Sequence, residues 1–223
     1  MHSPSDVLLL CWRDTGHPQG GGSETYLERV GAELARRGVR VTFVTSAYPG
    51  ALSDETRDGI RFVRTGGRIS VYPRAAAMII AGRLGRGPLA DISPDAVVDT
   101  QNGVPFFASL VTSAPTVVLV HHCHREQWPV AGRLLGRFGW FLESRVAPRV
   151  HRRNRYVTVS TPSKRELTEL GVDAERISVV RNGIDPLPAD YVAAPATPAA
   201  DRPVRLCVLS GLVPHKQVAD APA

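Results

Sequence analysis

Between Val120 and Trp128 the chain reads VHHCHREQW, with His121, His122, Cys123 and His124 in succession at the end of an apolar run. Imidazole and thiolate are metal ligands, and imidazole also exchanges protons and hydrogen bonds near neutral pH. An extended backbone sends alternate side chains to opposite sides, so His121 and Cys123 face one way and His122 and His124 the other. Four adjacent groups so arranged do not converge on one ion, and no H-E-x-x-H or spaced carboxylate accompanies them. The expectation is that no metal is held here. Two readings are open for the imidazoles: contacts to a substrate, or core side chains hydrogen-bonded to neighbouring loops.

A second stretch with chemical potential is GGGSE, residues 20–24. Glycines between a strand and a helix let the backbone approach a ligand, and the unpaired N–H groups of a helix start attract an anion, for which a diphosphate is the natural guest. The spacing is not that of the G-x-G-x-x-G fingerprint, and no acidic ribose partner follows the next strand, which disfavours a nicotinamide cofactor. The alternative is a flexible turn capped by Ser23.

These stretches are placed by alternating strand-length and helix-length segments. Residues 6–12 form an apolar run without alternation, as in a strand buried on both faces. Leu27, Val30, Leu34 and Ala35 then recur at helical spacing, with Gly38 as the stop. Further strands are expected at 39–45, 96–101, 115–121, 155–160 and 176–182, with a short one entered from a turn within 57–67. Helices are expected at about 72–86, 104–111, 131–147 and 162–170. Repeated βα units imply an α/β fold, a Rossmann-like parallel sheet flanked by helices. The glycine loop and the histidine cluster both fall at carboxyl ends of strands, where open α/β sheets bind their ligands.

After residue 185 the composition changes to the proline- and alanine-rich PLPADYVAAPATPAADRP, and the run VRLCVLS at 204–210 begins another strand. The organisation expected is a domain over 1–185, a linker over 186–203 and the start of a second domain over 204–223. The three cysteines are far apart and form no C-x-x-C pair, so neither a disulfide framework nor a thiolate zinc site is suggested. A formal net charge of +6 favours anionic partners but does not single out nucleic acid, which is not expected to bind. With no membrane-span run and no cleavable leader in the sequence, a cytoplasmic protein is expected.

GGSETYLERVGAELARRGVRVTFVTS, VHHCHREQW, YVTVSTPSKRELTELGV with ISVVRNGID, and finally LVPHK, taken in this order, resemble the amino-terminal half of a family 4 glycosyltransferase, a retaining enzyme of the GT-B fold. The resemblance implies two Rossmann-like domains facing across a cleft, the amino-terminal one shaping the acceptor site and the other holding a nucleotide sugar. It implies that Gly21, Gly22 and Lys216 approach the donor diphosphate, that His121 lies beside the transferred sugar, and that Glu24, His122 and His124 border the acceptor or sugar. Asn182, Gly183 and Asp185 match an N-G-x-D turn, with Gly183 expected at positive φ. No metal or other cofactor is implied; the nucleotide sugar and a glycan or lipid-linked acceptor are substrates.

Gly211 stands where the resemblance implies a second phosphate-binding arginine, and the donor-binding domain with its two glutamates is expected to lie outside these 223 residues. The chain is accordingly expected to be inactive without a complementing donor domain. A non-catalytic module that binds an anion or a partner is the alternative. The segment around Leu134, Phe138 and Phe141, rich in arginine, has two readings: peripheral contact with the inner membrane face, or a core helix whose arginines lie on its solvated side. The core helix is the expectation.

Overall fold

The computed structural model describes residues 4–125, 127–184, 186 and 190–192. Its centre is an eight-stranded sheet in the order β3-β4-β2-β1-β5-β6-β7-β8. The strands are β1 (Asp6–Leu10), β2 (Arg40–Thr45), β3 (Asp54–Arg57), β4 (Ile60–Arg64), β5 (Ala96–Thr100), β6 (Thr116–Val120), β7 (Arg155–Thr158) and β8 (Ile177–Val179). All neighbours pair in parallel except β3 with β4. The expected α/β Rossmann-like sheet is therefore present, and the order reverses at β1, with β2 on one side and β5 on the other.

The non-alternating run of β1 is explained by its two covered faces. Leu8 and Leu10 enter one core with Val71, Ala75 and Ile79 of α2 (Val71–Arg83). Val7 and Leu9 enter a second core with Leu27 of α1 (Gly22–Arg36). A third cluster joins Val118 and Val120 of β6 to Tyr156 and to Leu167 of α5 (Thr161–Glu169).

One expectation is extended and others change. The strand expected within 57–67 is the inner half of a hairpin: β3 and β4 are joined through Asp58 and Gly59, both at positive φ, as a two-residue hairpin turn requires. The outer strand, DETR, has no apolar residue to signal it, in keeping with an edge position. The helix expected over 104–111 shrinks to a 3₁₀ turn, Ala108–Leu110, because Phe107 before it adopts a left-handed conformation (φ 56°). Gly183 is outside the left-handed region, so positive φ is not its role.

The helix expected over 131–147 is α3 (Arg133–Phe141), continued by a π-helical segment Leu142–Val146 and α4 (Ala147–Val150). It is not the expected core helix. Gly136 and Gly139 face inward, while Leu134, Phe138 and Phe141 are 86%, 59% and 53% exposed. The reason is Trp128: a Cβ on Gly139 would fall 2.2 Å from its indole, and one on Gly136 would fall 2.4 Å from its carbonyl oxygen. Only glycines admit this approach, so the bulky side chains turn outward. Among the described residues no helix is long and apolar enough to cross a membrane. The run at 204–210, most of the linker and Lys216 lie outside the described residues.

Candidate functional site

The loops after β1, β5 and β6 meet at the carboxyl edge of the sheet, at and beside the point where the strand order reverses. Such crevices are open because neighbouring connections leave in opposite directions. The β1 loop is fixed from below by Asp14. One carboxylate oxygen accepts from the amides of Gly16 and His17 at 2.8 and 3.1 Å, and the other from Arg64 Nε at 2.7 Å. Arg64, at the end of β4, also donates to the Leu52 carbonyl at 2.9 Å and to Glu55 at 2.6 Å. Both side chains of the Asp14–Arg64 pair are fully buried.

The glycine loop divides into two kinds of position. A Cβ on Gly20 would lie 2.9 to 3.1 Å from the backbone oxygens of Asp14, His17 and Thr15, so Gly20 is required by the loop itself. A Cβ on Gly21 would meet only Glu24 at an ordinary 3.5 Å, and one on Gly22 would meet nothing within 4 Å. The fold does not need glycine at these two positions. The first intrahelical bond of α1 is from the Thr25 amide to the Gly21 carbonyl. The amides of Gly22, Ser23 and Glu24 precede it and form the positive end of the helix.

Glu24, fully buried, holds the loop closed. Its carboxylate accepts from the Gly21 amide at 2.8 Å, the Ser23 hydroxyl at 3.0 Å, Arg13 Nε at 3.1 Å and Asn102 Nδ2 at 3.2 Å. It thereby ties the β1 loop, the start of α1 and the β5 loop together, and its reach back to the helix-capping amide is half of a capping box. Ser23 is not the cap; Gly21 occupies that position.

His121 follows β6 and packs edge-on against Tyr26, with ring centroids 5.2 Å apart. Its Nε2 is buried and has no hydrogen-bond partner among the described residues. Its carbonyl accepts from the Ser163 hydroxyl at 2.9 Å, which fixes the strand end to α5. Burial holds the imidazole below its usual pKa, opposed by the Glu24 carboxylate, so the ring is neutral at pH 7.

His122 and His124 project together, as alternation requires, with rings stacked 4.4 Å apart. Exposed His122 meets Gln127 through Nε2 at 2.7 Å. The His124 amide donates to Glu143 at 2.9 Å, and the same buried carboxylate accepts from the Trp128 indole N–H. Glu143 lies in the π-helical segment and thus pins the histidine loop to α3. Cys123 packs against the third core, where burial pushes its thiol pKa up. Among the described residues no group of three or more His, Cys, Asp or Glu side chains could hold a metal ion.

Of the residues singled out in the sequence, Gly21, Gly22, Glu24 and His121 converge, and His122 and His124 form a separate stack. Arg13, Asn102, Asp14, Arg64 and Glu143 were not singled out. For Arg13 and Asn102 the signal existed, since both follow central strands at their carboxyl ends. Asp14, Arg64 and Glu143 gave none, because their partners are 50 residues away or across a loop.

Residues 20–186 match the family model described as Glycosyltransferase Family 4. No curated protein matches significantly. Among solved structures, the sucrose-phosphate synthase of Thermosynechococcus elongatus superposes with a TM-score of 0.58 at 13% identity, over 81% of this chain and 49% of that one. The two share a fold, and the chain spans about half the length of that protein.

Proposed function

This chain belongs to Glycosyltransferase Family 4, and from that premise we propose that residues 6–184 form the acceptor side of a nucleotide-sugar-dependent, retaining hexosyltransferase. The donor side comes from outside these residues, and without it no sugar is transferred. The observation that carries the reading is the buried Nε2 of His121, without a partner, at the same edge as two glycines whose Cβ positions stand open. A buried polar atom without a partner is costly, and a sugar hydroxyl would satisfy it. Space that the fold leaves at Gly21 and Gly22, before the positive end of α1, suits a diphosphate approaching the backbone.

In this reading His121, neutral and oriented by Tyr26, contacts the transferred sugar rather than a metal. The amides at the start of α1 stabilise charge on the leaving diphosphate, which is where the largest effect on the barrier is expected. Glu24 acts by holding the Gly21 amide, Arg13 and Asn102 in place. Lys216, outside the described residues, is assigned to the same diphosphate by resemblance. His122 and His124 border the acceptor, a glycan or a lipid-linked saccharide. The test is to complement the chain with the donor-binding domain of a family member and follow hexose transfer by NMR. Product with the donor's anomeric configuration is expected; inverted product, or none with any sugar nucleotide, contradicts the proposal.

A further inference from the structure

The outward face of α3 carries a second functional surface, and we infer that it docks on an anionic lipid surface. Leu134, Phe138 and Phe141 follow one another at four- and three-residue steps of α3, which places them on one stripe, Leu135 widens it, and Val130 precedes it in the 3₁₀ turn Trp128–Ala131. Leu134, Phe138, Phe141, Leu135 and Val130 are 86%, 59%, 53%, 48% and 61% exposed. A contiguous apolar patch of this kind marks a partner or a membrane, and single exposed residues do not. The packing against Trp128 holds this orientation: Gly139 lies against the indole and Gly136 against the Trp128 carbonyl, where a Cβ would collide.

Charge selects the partner. Arg133 and Arg137 on α3, Arg145 and Arg149 on its continuation, and Arg152 and Arg153 just after it are all exposed. Between residues 127 and 165 the sole acidic side chain is Glu143, which is buried and committed to His124 and Trp128. Among the described residues none of the six guanidiniums is in an ion pair. A second copy of the chain pressed against this face would bring two arginine fringes together, at a repulsive cost. A layer of anionic headgroups over acyl chains satisfies both parts, with the arginines at headgroup level and the Leu and Phe side chains below.

The test is flotation of the full 223-residue chain with phosphatidylcholine vesicles, with and without phosphatidylglycerol. It reads the surface directly and does not depend on sugar transfer. Recovery with phosphatidylglycerol vesicles, little with phosphatidylcholine alone, and partial release by salt are expected. Leu134→Ser and Phe138→Ser, at exposed positions and checked for unchanged circular dichroism, are each expected to lower partitioning roughly tenfold. Recovery in the soluble fraction with every vesicle, or equal partitioning of the variants, overturns the inference. So does a dimer in sedimentation equilibrium that Phe138→Ser abolishes, without vesicle binding.

Discussion

His121 stands edge-on to Tyr26, with planes at 86°, so the first helix after the glycine loop orients the ring at the end of β6. Two elements far apart in sequence, whose strands β1 and β6 have only β5 between them, thus share one contact, and it aims a buried nitrogen that has no partner among the described residues. In the complemented protein His121→Ala is expected to lower turnover about a hundred- to thousand-fold, the effect of losing one preorganised polar contact. Tyr26→Phe, which keeps the ring, is expected to retain activity. Stoichiometric zinc that disappears with His121→Ala would assign the residue to a metal instead.

The glycines give a prediction that separates folding from function. Gly20→Ala forces a Cβ against three carbonyl oxygens and is expected to destabilise the chain by roughly 1–3 kcal/mol. Gly22→Ala, at the first position of α1 with open space around it, is expected to leave stability unchanged or raise it by about 0.5–1 kcal/mol. In the complemented protein Gly22→Ala is nonetheless expected to lower donor turnover. Thermal unfolding and kinetics on both variants decide; a Gly22→Ala protein with full activity removes the diphosphate from this loop.

The buried Asp14–Arg64 pair is expected to carry much of the loop's rigidity. Arg64→Met leaves the buried Asp14 carboxylate with neutral donors, among them the Gly16 and His17 amides, and without its cation, and is expected to cost about 3–5 kcal/mol in urea unfolding. Restoring neutrality with Asp14→Asn in the same chain is expected to recover part of that loss. A double variant as unstable as the sum of the singles contradicts coupling between them.

Asp99 and His151 set a pH dependence. Both are fully buried, 3.8 Å apart. Burial lowers His151 to about 4 and pushes Asp99 up to about 6, the latter against the amides of Phe106 and Ala108. His151 therefore contributes stability above its ordinary value of 6.5 that is lost as pH falls toward about 4. Asp99 has the opposite sign, removing stability as pH rises from 3.8 to about 6. The two offset one another over most of this window in the unaltered chain. His151→Gln removes one of them, so the unaltered chain is expected to lose stability relative to the variant on acidification, by about 1.4 kcal/mol per pH unit. Unfolding at several pH values between 7 and 4 measures the difference, and a constant difference contradicts the assignment.

The sheet was legible because β1, β2, β5 and β6 are largely buried on both faces and so read as mainly apolar runs without strict alternation. β3 was not, since an edge strand of charged residues has no hydrophobic period. The orientation of α3 was not legible either. Its leucines and phenylalanines look like a core stripe, and only the distant fact that Trp128 occupies the inner side turns them outward. At the site, the glycines and His121 could be named from type and strand-end position. Glu24 was named too, but its bonds to Arg13 and Asn102 depend on which loops the strand order brings together.

In the proposed function, residues 6–184 supply one side of a sugar-transfer site and need the other. The most direct measurement is nucleotide release from UDP-, GDP- and ADP-sugars by the purified 223-residue chain, alone and after complementation with a donor-binding domain. No release from the chain alone and His121-dependent release from the complemented protein are expected. Release by the chain alone that survives purification and is lost with His121→Ala would contradict the proposed function.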